Sequence, residues 1–136
     1  MANTMKLEIV TPEAKVYSED VEMVTLPGSE GEMGIYPMHV PLMTAIKAGE
    51  VAAHKDGQDY FFAVGDGFVE ITGDKVAILT DMAFKADDID EAKAEEARRR
   101  AEARLAERLD AEEAALVTAA LTHSLAQLNV KRRQRK

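Results

Sequence analysis

The distribution of glycine and proline divides this chain into two parts. All 8 glycines and all 4 prolines precede Phe84, and Ala, Glu, Arg and Leu dominate after it. Glycine and proline weaken helix interiors and mark turns, whereas the residues that dominate the second part have high helix propensity. We therefore predict a β domain over residues 1–85 and a helical domain over residues 86–136, which together make an α+β protein.

Short apolar runs separated by turn residues fill the first part. The runs with the length and composition of strands are MKLEIV, VEMVTLP, EVAAHK, DYFFAV, FVEITG and KVAILTD. Asp56-Gly57 and Gly73-Asp74 predict compact hairpin turns between such runs. Strands this short and this closely spaced indicate an antiparallel sandwich or a flattened barrel.

The second part carries two apolar stripes at helical spacing. They are Ala94, Ala97, Ala101, Leu105 and Leu109, and then Ala114, Val117, Leu121, Leu125 and Leu128. Asp87, Asp88 and Asp90 suit the start of a first helix, and Asp110 with Glu113 resembles a capping box that begins a second. No glycine or proline enforces the break, so a helix hairpin and one longer rod are both open. Because alanine buries little apolar area, we expect the helices to dock only marginally.

Charge and composition exclude several classes of protein. Residues 1–85 hold 14 acidic and 6 basic residues, whereas residues 86–136 hold 11 of each. This acidic excess argues against a general nucleic-acid-binding protein, although the basic end KRRQRK leaves a nucleic-acid adaptor as an alternative. The absence of cysteine excludes disulfide and thiolate chemistry. We expect neither export nor a membrane span, because there is no signal-like start and every apolar run is short.

No catalytic or metal-binding pattern emerges from the sequence. His39, His54 and His123 are scattered, with no spacing that would place two imidazoles on one metal ion, so we expect no metal site. The three glycines between Gly28 and Gly34 lack the lysine of a phosphate loop and are interpreted as a tight turn. Pro37 and Pro41 predict an extended segment that displays His39.

Three segments of the chain resemble the epsilon subunit of bacterial F-type ATP synthases. They are SEGEMGIYPMHVPLMTAIKAG, GDGFVEITGDKVAILTDMA and DDIDEAKAEEARRRAE, in the family's order and at its distances. The resemblance implies a flattened antiparallel β-sandwich of about ten strands, followed by a two-helix hairpin able to extend. It also implies a non-catalytic rotor subunit of a proton-translocating ATP synthase, peripheral to the cytoplasmic face of the bacterial membrane, that inhibits ATP hydrolysis through its helices.

The resemblance further implies three protein partners and the residues that meet them. The gamma subunit would bind Tyr36, Pro37, Met38, His39, Pro41 and Leu42. The ring of c subunits would be contacted by Ser29, Glu30, Gly31 and Glu32. The beta subunits, with alpha, would meet a basic helix face made of Arg98, Arg99, Arg100, Arg104 and Arg108. The alternative for these arginines is a solvated face paired with glutamates, such as Glu95 with Arg99 and Glu96 with Arg100.

Some members of the family bind ATP on the folded hairpin, and this chain keeps a degenerate version of that motif. The corresponding residues are Ile89, Asp90, Lys93 and Ala94, with Arg100 further on. Lys93 replaces an arginine, and His123 and Gln127 stand where two more arginines are expected. A lysine cannot reproduce the guanidinium fork, so we expect weak ATP binding at best and no other cofactor. A nucleotide-sensing regulator is thus a second alternative function.

Overall fold

Ten strands precede two helices in the computed structural model, which describes residues 4–134. The strands are β1 Met5–Val10, β2 Lys15–Val21, β3 Met23–Gly28, β4 Gly31–Ile35, β5 Leu42–Ile46, β6 Gly49–Lys55, β7 Gln58–Val64, β8 Gly67–Thr72, β9 Lys75–Thr80 and β10 Ala83–Lys85. One turn of 3-10 helix, Ala86–Asp88, leads to α1 Glu91–Leu105 and α2 Ala111–Gln134. The last two residues of the predicted basic tail, Arg135 and Lys136, lie outside the described residues.

The strands form one sheet that folds over itself. Its order is β10-β7-β6-β3-β5-β8-β9-β1-β2. β4 lies off this path and pairs with β3, and β2 comes back against β6 and β10. Every pair is antiparallel except β1 with β9. The predicted β-sandwich followed by two helices is therefore confirmed, with one parallel pair that was not expected.

The core lies between the two layers of the sheet. Its largest fully buried side chains include Leu7, Ile9, Leu26, Phe62, Ile71 and Ile78. Asp56 and Gly57 both have positive φ, 53° and 76°, as a tight turn of the predicted hairpin type requires. Gly73 and Asp74 join β8 to β9, so both predicted hairpin turns are confirmed.

A buried carboxylate ties three strands together at the sheet surface. Glu8 on β1 contacts Lys15 of β2 at 2.8 Å and Lys75 of β9 at 2.7 Å. The hydrogen bonds from Lys15 and Lys75 lower the pKa of Glu8 to about 2, because both favour its ionised form. The parallel pairing of β1 with β9 is thus reinforced by a charged contact.

The two helices begin where the sequence predicts. Asp90 accepts a hydrogen bond from the backbone N–H of Lys93 at 3.1 Å, and Asp110 accepts one from that of Glu113 at 2.8 Å. The carboxylate of Glu113 turns to Arg104 instead of closing the capping box. The chain adopts the hairpin and not the rod, with α1 packed against α2.

The hairpin docks on the sandwich through a small cluster beside β6 and β7. Its buried members are Ala63, Ala86, Ile89, Ala126 and Val130, with Phe61 and Phe84 packed against them. The predicted stripes are correct at Ala94, Ala101 and Leu128, which are buried. Leu125, in contrast, is 40% exposed, because the docking face of α2 runs through Ala126 and Val130.

Candidate interaction surfaces

An exposed segment joins β4 to β5 and contains the histidine between two prolines. Tyr36, Met38 and Val40 are 62%, 82% and 71% exposed, whereas His39 is half-buried. Nδ1 of His39 lies 2.7 Å from the carbonyl oxygen of Val40, which accepts a hydrogen bond from it. The expected extended conformation is wrong at Pro37 and Met38, which form a turn with Met38 at a φ of 68°. The backbone N–H of Met38 donates to the carbonyl of Gly73, which fixes this turn against the β8–β9 hairpin.

A second group of exposed apolar side chains lies on the outer face of β5, β8 and β9, the strands that follow this segment. Met43, Phe68 and Leu79 are all exposed there. Phe68 lies between Ala45 of β5 and Leu79 of β9 in the strand register, so the three side chains share one face. We call the following set the apolar patch: Tyr36, Met38, Val40, Leu42, Met43, Phe68 and Leu79.

The sequence-based prediction of the gamma contact did not include four members of the apolar patch, Val40, Met43, Phe68 and Leu79. A signal for Phe68 was present, because it lies two residues before Glu70 on one strand and must face solvent if Glu70 does. Exposed apolar side chains in this number mark sites of protein interaction. The apolar patch can therefore bury a partner's apolar surface, and the turn at Pro37 and Met38 positions it without further ordering.

The turn between β3 and β4 forms an exposed acidic tip. Ser29 and Glu30 make the turn, while Gly31 and Glu32 already belong to β4, so the predicted contact loop is part turn and part strand. Gly31 has a φ of 133°, a backbone conformation that residues with a side chain rarely adopt. A Cβ on Gly28 would lie 2.7 Å from the carbonyl oxygen of Gly31, so a side chain does not fit there. Within residues 4–134, neither Glu30 nor Glu32 makes an ion pair, so both carboxylates face solvent unpaired.

The five arginines expected to form one basic face do not share a face. Residues 98, 99 and 100 are consecutive, and successive residues of an α-helix point about 100° apart. Arg108 lies beyond the end of α1, which stops at Leu105. The expectation of a single face is therefore wrong, and we refer to Arg98, Arg99, Arg100, Arg104 and Arg108 as the basic cluster.

Intrahelical partners engage most of the basic cluster without burying it. Arg99 lies 3.6 Å from Glu95 and Arg100 lies 3.6 Å from Glu96, so both predicted pairs are confirmed. Arg98 contacts Glu95 and Glu102, whose hydrogen bonds raise its pKa. The side chains of Arg99 and Arg100 remain 75% and 73% exposed. Pairs this exposed contribute little and can be exchanged for contacts with another protein.

Two family models match the chain in succession. The model of the ATP synthase delta/epsilon chain β-sandwich domain matches residues 4–86, and that of the ATP synthase delta/epsilon chain long α-helix domain matches residues 87–132. The chain belongs to the ATP synthase delta/epsilon chain family. It is a non-catalytic stalk subunit of an ATP synthase, and the resemblance seen in its sequence is confirmed.

Relatives agree with this assignment, and a solved structure shares the fold. The ATP synthase epsilon chain of Dehalococcoides mccartyi is 44% identical over 133 residues, which are 97% of this chain and 95% of the relative. That of Syntrophobacter fumaroxidans is 45% identical over 131 residues, 96% of this chain and 97% of the relative. A chain in the cryo-EM structure of the Euglena gracilis mitochondrial ATP synthase, OSCP/F1/c-ring, has the same fold, with a TM-score of 0.79 at 22% identity over 93% of this chain and 80% of that chain.

The residues that correspond to the family's ATP motif occupy buried, capping and exposed positions in this hairpin. Ile89 and Ala94 are buried, and the carboxylate of Asp90 caps α1. Lys93 and Arg100 are exposed and lie seven residues apart, about two helical turns, on a common side of α1. The two exposed cations leave some capacity for phosphate, and weak ATP binding stays a prediction.

Residues 4–134 show neither a metal-binding cluster nor a helix that could span a membrane. No group of three His, Asp or Glu side chains there is arranged to hold a metal ion. None of the helices in that range is long and apolar enough to cross a bilayer.

Proposed function

We propose that this chain links the gamma subunit to the c ring of a proton-translocating F-type ATP synthase and rotates with both, on the cytoplasmic face of the bacterial membrane. The apolar patch carries this proposal, because a rotor subunit needs a contact to gamma that does not slip under torque. Tyr36, Pro37, Met38, His39, Pro41 and Leu42 form the centre of that contact. Met43, Phe68 and Leu79 extend it across β5, β8 and β9.

The acidic tip is the contact with the c ring in this proposal. It is exposed, its two carboxylates are unpaired within the described residues, and its glycines hold a tight backbone shape. Carboxylates at the end of a rigid hairpin suit hydrogen-bond donors and cations on polar loops of a partner. Its partner is protein and not lipid.

The C-terminal helices restrain ATP hydrolysis by reaching the alpha and beta subunits. α1 has 15 residues and α2 has 24. At about 1.5 Å per residue, the two helices aligned end to end would span roughly 58 Å. The basic cluster is the group that meets an acidic partner, because its exposed intrahelical pairs are inexpensive to exchange.

Capture on immobilised gamma subunit tests the proposal against both alternatives. We expect gamma to retain the chain. We also expect the free chain to bind neither DNA nor RNA at low salt, and not to bind ATP tightly. The expectation of no nucleic-acid partner is supported by the basic residues at the end of α2. Contacts within the hairpin and with the sandwich already engage Lys131, Arg132 and Arg133. A nucleic-acid adaptor would instead bind nucleic acid with a steep salt dependence, and failure to bind gamma would overturn the proposed role.

A further inference from the structure

The docking of α2 on the sandwich relies on little apolar surface. Three of the five buried residues in the docking cluster are alanines. The first half of α2, residues 111–123, has no fully buried residue, and Leu116 within it is 68% exposed. The connection between the helices, residues 106–110, contains neither glycine nor proline. The apolar contacts alone therefore give a shallow preference for the docked hairpin.

Three consecutive basic residues at the end of α2 reach three different parts of the chain. Lys131 Nζ donates to the carbonyl of Ala86, in the 3-10 turn, at 3.1 Å. Arg132 contacts carboxylates of α1, Glu91 at 3.3 Å and Glu95 at 3.2 Å. Because these bonds join segments 37 to 45 residues apart in sequence, they can form only while the hairpin is folded.

The third basic residue joins the hairpin to the sandwich. Arg133 Nη2 lies 2.8 Å from Glu50 Oε2 on β6, and its guanidinium lies 5.4 Å from the ring centre of Phe61 on β7. A guanidinium that pairs with a carboxylate and stacks on a ring has two attachments to the sandwich. If α1 and α2 joined into one helix, residues 95 and 132 would be roughly 55 Å apart, so the contacts of Arg132 would be lost with those of Arg133.

We propose that Lys131, Arg132 and Arg133 form an electrostatic latch that keeps the helices docked and sets how readily they are released. The latch is a property of the isolated chain, and only its regulatory meaning, control of the release of inhibitory helices, rests on the proposed function. Exposed ion pairs each shift an equilibrium by about two- to fivefold, so removing both arginines increases the released population on the order of tenfold. The latch weakens as salt rises, since its groups are exposed.

Thiol labelling of a single introduced cysteine measures release in the full chain. The chain has no cysteine, and Ser124 on α2 is 5% exposed, so Ser124→Cys gives one buried thiol. Its labelling rate with neutral iodoacetamide, divided by the rate of an exposed Thr118→Cys thiol, reports opening even when the open form is rare. We expect Arg132→Gln with Arg133→Gln to raise this ratio on the order of tenfold. The ratio of the parent should rise between 10 mM and 1 M NaCl, and that of the double variant should rise less.

Two further comparisons separate a latch from a general effect of charge. Arg100→Gln removes the same single charge as Arg133→Gln, but Arg100 pairs with Glu96 of its own helix and keeps that pair in either state. Its ratio should therefore equal that of the parent, whereas the ratio of Arg133→Gln should rise. Glu50→Arg and Arg133→Glu should each raise the ratio, and together they should restore it in part, as the reversed pair re-forms. The latch would be overturned if the labelling ratio of the double glutamine variant equalled that of the parent. It would also be overturned if Arg100→Gln raised the ratio as much as Arg133→Gln does. Neither outcome bears on binding to gamma, which is tested separately.

Discussion

Phe68, which extends the proposed gamma contact onto β8, gives the sharpest test of that contact. It is 56% exposed, which for a side chain of about 200 Å² leaves about 110 Å² for a partner to cover. At about 25 cal/mol per Å² that burial contributes about 2.8 kcal/mol, and the methyl group that alanine retains recovers about 0.8 kcal/mol. Phe68→Ala should therefore weaken gamma binding by about 2 kcal/mol, or roughly 30-fold in Kd.

Calorimetric titration of gamma with the full chain measures this change, and Tyr60→Ala provides the matched control. Tyr60 is also a partly exposed aromatic, at 41%, but it lies on β7 outside the apolar patch. Its substitution should leave Kd unchanged. Thermal melting of the free Phe68→Ala chain should change little, because losing one exposed cross-strand pair costs at most about 1 kcal/mol. A Kd for Phe68→Ala within twofold of the parent would refute the placement of the contact.

Four further outcomes follow from the described contacts. His39→Ala should weaken gamma binding by about 1 to 4 kcal/mol and leave the fold intact by circular dichroism, whereas an unchanged Kd would mean that the histidine is only a surface residue. Glutamine in place of all five arginines of the basic cluster should raise ATP hydrolysis by the assembled enzyme at normal occupancy of this chain, and an unchanged rate would return these residues to a solvated face. The folded pKa of Glu8, about 2, lies below its usual 4.5, so the stability it contributes is present above pH 4.5 and is lost as the pH falls through 2. Glu8→Gln should therefore make the melting temperature less dependent on pH between 4.5 and 2. A variant whose melting temperature depends on pH as the parent's does would contradict the three-strand contact. Mg-ATP should bind the unmodified chain weakly in calorimetry and more tightly after Lys93→Arg, His123→Arg and Gln127→Arg, so micromolar binding by the unmodified chain would exclude this explanation.

The sequence predicted the elements whose residues alternate cleanly or cap a helix. β8 alternates buried and exposed residues, and Asp90 and Asp110 cap their helices as expected. β2, in contrast, buries only Val21 fully and carries three charged residues, so its apolar pattern is weak. Its place in the sheet depends on pairing with β1 and on the bridge from Lys15 to Glu8, which are contacts distant from its own sequence pattern.

The candidate surfaces were predicted less completely, because exposure depends on register and helix phase. The turn at Pro37 and Met38 rests on a hydrogen bond to Gly73, in a hairpin far along the chain. The basic cluster was expected on one face because its members are close in sequence, whereas helical geometry spreads consecutive residues around the axis. Which side of α2 docks depends on the alanine-lined surface that β7 and the 3-10 turn present, and the stripe of larger residues did not indicate it.

ATP hydrolysis by the reconstituted enzyme tests the central claim, that the sandwich assembles the rotor and the helices restrain it. The comparison is between the full chain and a chain that ends at Lys85, the last residue of β10. The shortened chain should occupy the complex as fully as the complete one, sustain proton-coupled ATP synthesis, and allow faster hydrolysis. Loss of occupancy, or full occupancy with an unchanged rate of hydrolysis, would contradict this division of roles.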